Sequence, residues 1–382
     1  MNKIKVAVII TKLELGGAQK VAVSICEKID KKNFEPFLIC GCGGILDKET
    51  KRKIKVFFVK DLVREISLLN DLKALFSICK ILKKEKPLIV HTHSSKAGIL
   101  GRVAAKICKI PNIVHTIHGF AFNDTQTFFK KKLYVFLEKF CAVLSKTLIP
   151  VSTENIKKGL QNKIGTKEKY HYIRLGIDIE NFKNFNQTIP SLKQELKLAK
   201  SDVLVTTIGP FKVQKNLPDF IKIAADISKK HKNFKFVIVG DGTLRPDFEN
   251  MIKNFAIEKN IFLLGWRRDI SNILNSSDIF VMTSLWEGLP ISTIEALSCG
   301  LVPVVNDVDG QREIIKNCFN GFLIKPYDIK SAEEKILLLS NDKKLKKEMS
   351  ENAKNSIDET YSIDFMIKQH EKLYLSYFLI HE

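Results

Sequence analysis

The sequence predicts an α/β protein made of two doubly wound domains. Two observations carry this. Short apolar runs alternate with amphipathic stretches from residue 5 to residue 151, and after a polar interruption over 181–200 the same alternation restarts at Val203 and runs to Val305. Alternating strands and helices pack as a parallel sheet with helices on its faces, so two such series make two domains. At 382 residues the chain is long enough to give each a full core.

In the first half, residues 5–10, 34–40, 55–59, 88–91, 113–116 and 147–151 read as strands, and 17–28, 70–84, 96–109 and 128–146 as helices. Gly41-Cys42-Gly43-Gly44 follows a strand without a convincing helix behind it and reads as a loop. In the second half, 203–209, 234–239, 261–264, 279–283 and 302–305 read as strands. Residues 362–378 form an amphipathic helix with no strand after it, expected to cross back to the first domain. The expected divisions are 1–185, 200–361 and 362–382.

Apolar content of 45% and charged content of 27% are ordinary for a soluble globular protein. Residues 1–10 read as a first buried strand and not a signal peptide, and no apolar run is long enough to cross a bilayer. Eight scattered cysteines without a C-x-x-C read as reduced core residues of a cytosolic protein. The net charge of +20 is unevenly spread: residues 1–185 hold 35 lysines and arginines against 16 acids, whereas the rest of the chain is nearly balanced. Such asymmetry points the first half towards an anionic partner.

The most informative segment is Trp286-Glu287-Gly288-Leu289-Pro290-Ile291-Ser292-Thr293-Ile294-Glu295. It follows the strand at 279–283 and opens a helix, so backbone N–H groups at that helix start can take a diphosphate. Eight residues on, Glu295 returns to nearly the face of Glu287, where it can accept from hydroxyls. Both carboxylates could instead be a helix cap and a solvated side chain; the strand–turn–helix setting favours the ligand reading. Gly16 and Gly17 open the first helix, as a ligand contact or as a plain tight turn. Lys215, in the stretch that begins at Gly209, sits just past a strand end, where it can neutralise a leaving diphosphate. Gly240, Gly242, Trp266 and Arg267 occupy equivalent strand ends and are candidates to border the nucleoside.

Histidines 91, 93, 115 and 118 fall at two strand ends, and His118, before Gly119, has the strongest case for a place in the active site. No metal site is expected, because neither cysteine nor a helical H-x-x-x-H accompanies them. Asp307-Val308-Asp309 superficially matches a metal clamp but reads as loop chemistry. Phe128, Phe129, Lys130, Lys131 and Lys132 start a helix as a membrane-surface element, with Leu133, Leu137, Phe140 and Leu144 expected to pack inside. No nucleic-acid-binding signature appears.

In this order, these elements resemble glycosyltransferase family 4, the retaining group with the GT-B fold. Its two Rossmann-like domains face one another across a cleft. The likeness runs over nearly the whole chain and includes Leu15-Gly16-Gly17-Ala18, Val90 to Ser94, His115 to Phe120, Val151-Ser152 and Gly176-Ile177-Asp178. Lys215, Gly240-Asp241-Gly242, Leu264-Gly265 and the segment from Glu287 to Glu295 complete it. The resemblance implies that Glu287 contacts the donor sugar and Glu295 the ribose. The backbone around Gly288, Leu289, Pro290 and Ile291, with Lys215, would hold the diphosphate, with Gly17 beside the phosphates and His118 beside the sugar. One departure stands out. Many members carry Arg after the glycine matching Gly209, and this chain has Pro210.

The function so implied is metal-independent transfer, without a cofactor, from a nucleotide sugar (a UDP-hexose or UDP-N-acetylhexosamine). The acceptor would be a growing, polyprenyl-diphosphate-linked glycan of a lipopolysaccharide or capsule. The expected partners are the nucleotide sugar, the lipid-linked acceptor and an anionic membrane surface, not nucleic acid. The expected location is cytoplasmic, on the inner face of the cytoplasmic membrane. The alternatives are a nucleotide-sugar epimerase on a related fold and a non-catalytic basic adaptor for membrane or nucleic acid.

Overall fold

Most strands of the protein are short and apolar, as strands covered on both faces must be. The computed structural model describes residues 3–123, 126–185 and 189–378. The chain divides into two compact units, one of Met1–Gly176 with Ile363–Glu382 and the other of Ile177–Ser362.

The first unit runs β1 (Ile4–Ile10), α1 (Gly17–Lys28), β2 (Phe34–Cys40), α2 (Asp47–Lys53), β3 (Val56–Phe58), α3 (Leu68–Glu85), β4 (Ile89–Thr92), α4 (Ser95–Ile107), β5 (Asn112–Ile117), α5 (Phe128–Leu144), β6 (Thr147–Pro150) and α6 (Thr153–Gln161). Its six strands form one parallel sheet in the order β3-β2-β1-β4-β5-β6. Val6 to Ile10 of the central strand are fully buried. The order reverses between β1 and β4, and loops that leave neighbouring strands at such a point open a crevice for ligand. Helices α3, α4 and α5 make one layer, α4 packing between the other two.

The second unit contains α7 (Ile179–Lys183), α8 (Leu192–Glu195), β7 (Val203–Ile208), α9 (Leu217–Lys230), β8 (Phe234–Val239), α10 (Arg245–Asn254), β9 (Ile261–Gly265), α11 (Ile270–Asn275), β10 (Ile279–Met282), α12 (Ile291–Ser298), β11 (Pro303–Asn306), α13 (Gln311–Ile314), β12 (Phe322–Ile324), α14 (Ile329–Asn341) and α15 (Lys343–Asn355). Its parallel sheet has the order β12-β11-β10-β7-β8-β9, reversing between β7 and β10. After it, α16 (Ile363–Ser376) packs on α1 of the first unit. There Lys28 pairs with Asp364 at 3.0 Å, and the Phe34 and Tyr374 rings meet edge to face at 5.9 Å.

Cys42 and Cys318, expected in the core, are exposed, and in its elements and boundaries the structure departs from the sequence expectations in four places. A helix, α2, does follow the Gly41–Gly44 loop; only Thr50 of it is buried, so it has no apolar period to read. It is held instead by charge, with Asp47 and Glu49 in its first turn and Lys51 to Lys53 in its last, each matching the helix dipole. The three-residue β12 was too short to see. The first unit ends at Gly176, not 185, because α7 packs on α11 and α12 of the second. Ile177 N donates to Tyr361 O at 2.8 Å, so the entry to and exit from that unit lie side by side. The last four residues of the expected terminal division, 379–382, lie outside the described residues.

The fourth departure is in α5. Leu133 and Phe140, expected inside, are 52% and 50% exposed, and the helix buries only Glu138, Cys141 and Ala142. Glu138 is drawn inward by Arg102, which is fully buried on α4 and donates to it at 2.9 Å. That pair turns the small side of α5 to the protein and its large apolar side outward.

Candidate active site

In the second unit, the loops after β7, β10 and β11 converge at the point where the strand order reverses. Gly209 follows β7, and a Cβ there would meet Lys215 Cε at 2.9 Å, because the lysine stem folds back over the strand end. Asn216 takes a left-handed conformation, φ 45°, and ends this turn. The carbonyls of Lys215 and Asn216 accept from Thr283 Oγ1 at 3.1 and 2.9 Å, and Leu285 N donates to Gln214 O at 2.9 Å. The β7 and β10 loops are thereby stitched together.

These bonds bring Lys215 Nζ to 2.5 Å from Glu287 Oε1, with side chains only 13% and 7% exposed. Gln214 Nε2 donates to Trp286 O at 2.8 Å and lies 3.5 Å from Glu287 Oε2. The β11 loop supports the same turn. Asn306 Nδ2 donates to the carbonyls of Thr283 and Ser284, and Glu287 N donates to Asp309 Oδ2 at 3.3 Å. A Cβ on Gly310 would fall 2.0 Å from Gly288 O, so the two loops touch backbone to backbone. Just beyond, α12 starts after Pro290 with no side-chain cap and no acid in its first turn, which leaves its positive end undressed. Leu289, Ile291 and Glu295 are buried along this turn and helix.

The neighbouring strand ends are equally close. Gly240, φ 137°, has no room for a Cβ, which would lie 2.0 Å from Gly209 O; a Cβ on Gly242 would lie 2.7 Å from Phe211 O. Trp266 is partly exposed beside them. Arg267 follows Trp266 in the chain and is engaged within the protein. Its guanidinium is held by Glu195 at 2.6 and 2.9 Å and by Asp269 at 2.8 and 2.7 Å, so it secures α8 to the loop after β9. Asp307 pairs with Arg312 at 2.6 Å, and Asp309 supports Glu287. Among the described residues no group of three or more His, Cys, Asp or Glu is set to hold a metal ion.

The first unit carries its own cluster at its own reversal point. Gly16 caps α1 in an extended conformation and Gly17 is its first residue. Thr11 Oγ1 and Ser94 Oγ, 2.8 Å apart, tie the loops after β1 and β4. Next to them, His118 Nε2 lies 2.9 Å from His93 Nδ1. His91, fully buried, bonds Thr116 Oγ1 at 2.7 Å and Tyr374 OH of α16 at 2.6 Å. Burial holds the His118 imidazole neutral, its pKa pushed down to about 3 with a smaller push from His370. Burial also lowers His91 and His93, so the His93–His118 bond joins two neutral rings, one nitrogen donating and the other accepting.

Sequence reasoning had no signal for Asn306, Gly310 or Tyr374, which act only through partners distant in the chain. Gln214 could have been suspected as the residue before Lys215. Phe128 and Phe129, 64% and 83% exposed, stand on α5 with Lys132 Nζ 4.2 Å above the Phe128 ring. Lys130 and Lys132 are exposed and Lys131 is half-buried.

Two family models match the chain, Glycosyltransferase Family 4 over residues 15–181 and Glycosyl transferases group 1 over residues 188–356. Over 377 residues it is 38% identical to the UDP-Gal:alpha-D-GlcNAc-diphosphoundecaprenol alpha-1,3-galactosyltransferase of Escherichia coli, which spans 98% of this chain and 97% of that protein. It is 29% identical over 339 residues to the N,N'-diacetylbacillosaminyl-diphospho-undecaprenol alpha-1,3-N-acetylgalactosaminyltransferase of Campylobacter jejuni, covering 85% of this chain and 88% of that one. Its fold matches that of Anabaena HepE, solved in complex with UDP and glucose, with a TM-score of 0.84 over 98% of this chain and 100% of that one, at 18% identity.

Proposed function

Since the chain belongs to glycosyltransferase family 4 and has that family's GT-B fold, we propose that it moves a hexose or N-acetylhexosamine from a UDP-sugar to a polyprenyl-diphosphate-linked saccharide. Transfer proceeds with retained anomeric configuration and without an obligatory metal. The observation that carries this reading is the Lys215–Glu287 pair, enclosed beside the uncapped start of α12. Cation and helix terminus together suit a diphosphate, and a carboxylate one turn away suits sugar hydroxyls.

The residues then divide the work. Lys215 and the N–H groups at the start of α12 take the charge that develops on the leaving UDP. Glu287 holds the sugar and Glu295 the ribose, and His118, neutral and bonded to His93, serves the reaction from the first unit. As the bond from C1 to the diphosphate oxygen breaks, the acceptor oxygen bonds to C1 on the same face and its proton passes to the departing oxygen. No protein nucleophile is needed; positioning and charge support supply the rate. Glu287 is already engaged by Lys215 and Gln214, which speaks for sugar orientation over covalent attack.

The two relatives suggest the substrates. The Escherichia coli protein takes galactose from UDP-Gal to a diphosphoundecaprenol-linked GlcNAc in an α-1,3 linkage. Galactose is therefore the first donor to try, and retention the expected outcome. The lipid acceptor and the exposed Phe128 and Phe129 beside Lys130 and Lys132 support peripheral association with the cytoplasmic membrane face. No helix among the described residues is long and apolar enough to cross a membrane. An adaptor would need a broken donor site, and the epimerase alternative finds no support in these two relatives, both transferases.

The test is to incubate the pure protein with a panel of UDP-sugars and a GlcNAc-diphosphopolyprenol, with and without EDTA, and weigh the lipid. One added hexose, α-linked by NMR and undiminished by EDTA, is the expected result. A β product or loss of transfer in EDTA overturns the mechanism, and no lipid product with any donor overturns the acceptor.

A further inference from the structure

The exposed apolar face of α5 is longer than its first turn, and α3 repeats it. At 100° per residue, Phe129, Leu133, Phe136, Phe140 and Val143 fall on one stripe of α5, about 21 Å long, and each is at least half exposed. On α3, Leu69, Leu72 and Phe76 form a matching stripe, 72%, 56% and 74% exposed, and Lys80 and Lys83 continue it. The opposite face of α3 carries Ala74, Ile78 and Leu82 into the core. Each helix therefore has two apolar faces, of which folding covers one. Between α3 and α4 the stripe borders a groove of about 570 Å³, lined by Leu72, Phe76 and Ile107 with Lys80 and Lys83 at its rim.

Charge identifies what covers the second faces. The acids in α3, α4 and α5 are Asp71, Glu85 and Glu138, and each is taken by a cation of the protein: Lys96 at 2.6 Å, Lys55 at 2.7 Å and Arg102 at 2.9 Å. The exposed charges on these three helices are lysines, Lys73, Lys80, Lys83 and Lys84 on α3, Lys106 on α4, Lys130 and Lys132 on α5. A second copy of the chain would set these lysines against their own kind. An anionic bilayer matches both features at once, since apolar rings enter its interface and lysines meet its headgroups.

We infer that α3 and α5, either side of α4, form one two-helix surface that lies flat in the interface of an anionic membrane. This rests on the reading that the acceptor is lipid-linked, and deepens it: the surface extends beyond Phe128 to Lys132 to a second helix, α3 (Leu68–Glu85), which starts 60 residues before α5.

The experiment is co-sedimentation with vesicles of phosphatidylglycerol or of phosphatidylcholine, for the wild type and two double variants, L69E/F76E on α3 and F136E/F140E on α5. These side chains are exposed, so melting temperatures serve as a check that both variants fold. Wild type should prefer phosphatidylglycerol, and each double variant should lose about tenfold or more of that binding. Transfer to a short-chain, water-soluble acceptor should stay at the wild-type rate. Undiminished binding by the α3 variant overturns the two-helix surface. A wild-type dimer that dissociates in the variants assigns the surface to a second copy instead, and an equal fall in transfer to the soluble acceptor assigns it to glycan binding. If the wild type transfers to no acceptor at all, the proposed activity fails, while vesicle binding still decides this surface.

Discussion

Lys215 and Glu287, 72 positions apart, meet as an ion pair at 2.5 Å with both side chains nearly buried. The group proposed for the diphosphate and the group proposed for the sugar are thus each other's partner, and a diphosphate that claims Lys215 competes with Glu287 for it. Glu287→Gln should then bind UDP at least as tightly as wild type while transfer falls about 10²-fold or more. Lys215→Ala should lose both. Calorimetry of UDP binding beside steady-state rates separates the two, and wild-type transfer by Glu287→Gln would remove the carboxylate from the mechanism.

His93 is expected to act on the reaction through His118, as its positioning residue. His93→Ala frees the His118 ring to turn and to gain water, so kcat should fall about tenfold and the acid limb of the pH–rate profile should move up. His93→Asn, whose amide can reach a similar position, should restore much of both. Equal loss in the two variants, with no change in the profile, would mean that His93 serves packing alone.

Acid should destabilise the first unit before the second. His91, His93, His115 and His370 are buried there with lowered pKa values, set first by burial in each case. Their folded values lie below the unfolded value near 6.5, so the unfolded chain binds more protons and stability falls as pH drops below about 6.5. Each contributes at most about 2 kcal/mol of loss by pH 5. Denaturant titrations at pH 7.5 and pH 5, read on probes in each unit, should show the first unit's midpoint falling and the second's nearly steady.

Gly310→Ala should damage donor binding from a position that no ligand need touch. The added Cβ has only backbone to meet, Gly288 O at 2.0 Å, so the turn that carries Glu287 must shift. UDP affinity should drop about tenfold or more. An unchanged affinity would show that the β11 loop does not hold the turn.

Arg267→Ala should cost stability and spare the donor, because its guanidinium already bonds Glu195 and Asp269. A raised donor KM at unchanged melting temperature would place Arg267 at the nucleoside's border.

Much of the candidate site was legible in the sequence because its parts are local. Glycine at a strand end, a Gly-Leu-Pro turn and carboxylates eight apart are each written within ten residues, and they fall where the structure has strand ends and the start of α12. The supports were not legible. Asn306, Gly310 and Asp309 reach Glu287 and its turn from another loop, and no periodicity announces such contacts.

The sequence by itself determined the two series of strands and helices, the basic first half and the residues available for chemistry. Apolar runs and helical periods are local consequences of which side chains need cover. Only the tertiary structure decided which carboxylate Lys215 faces, that Arg267 is already occupied, and which side of α5 is covered. A helical period says that a face is apolar; it does not say whether the protein reaches it. In α5 the buried Arg102–Glu138 pair decides, since a charge taken out of water must keep its partner, and the rings of Phe129, Phe136 and Phe140 are left facing out.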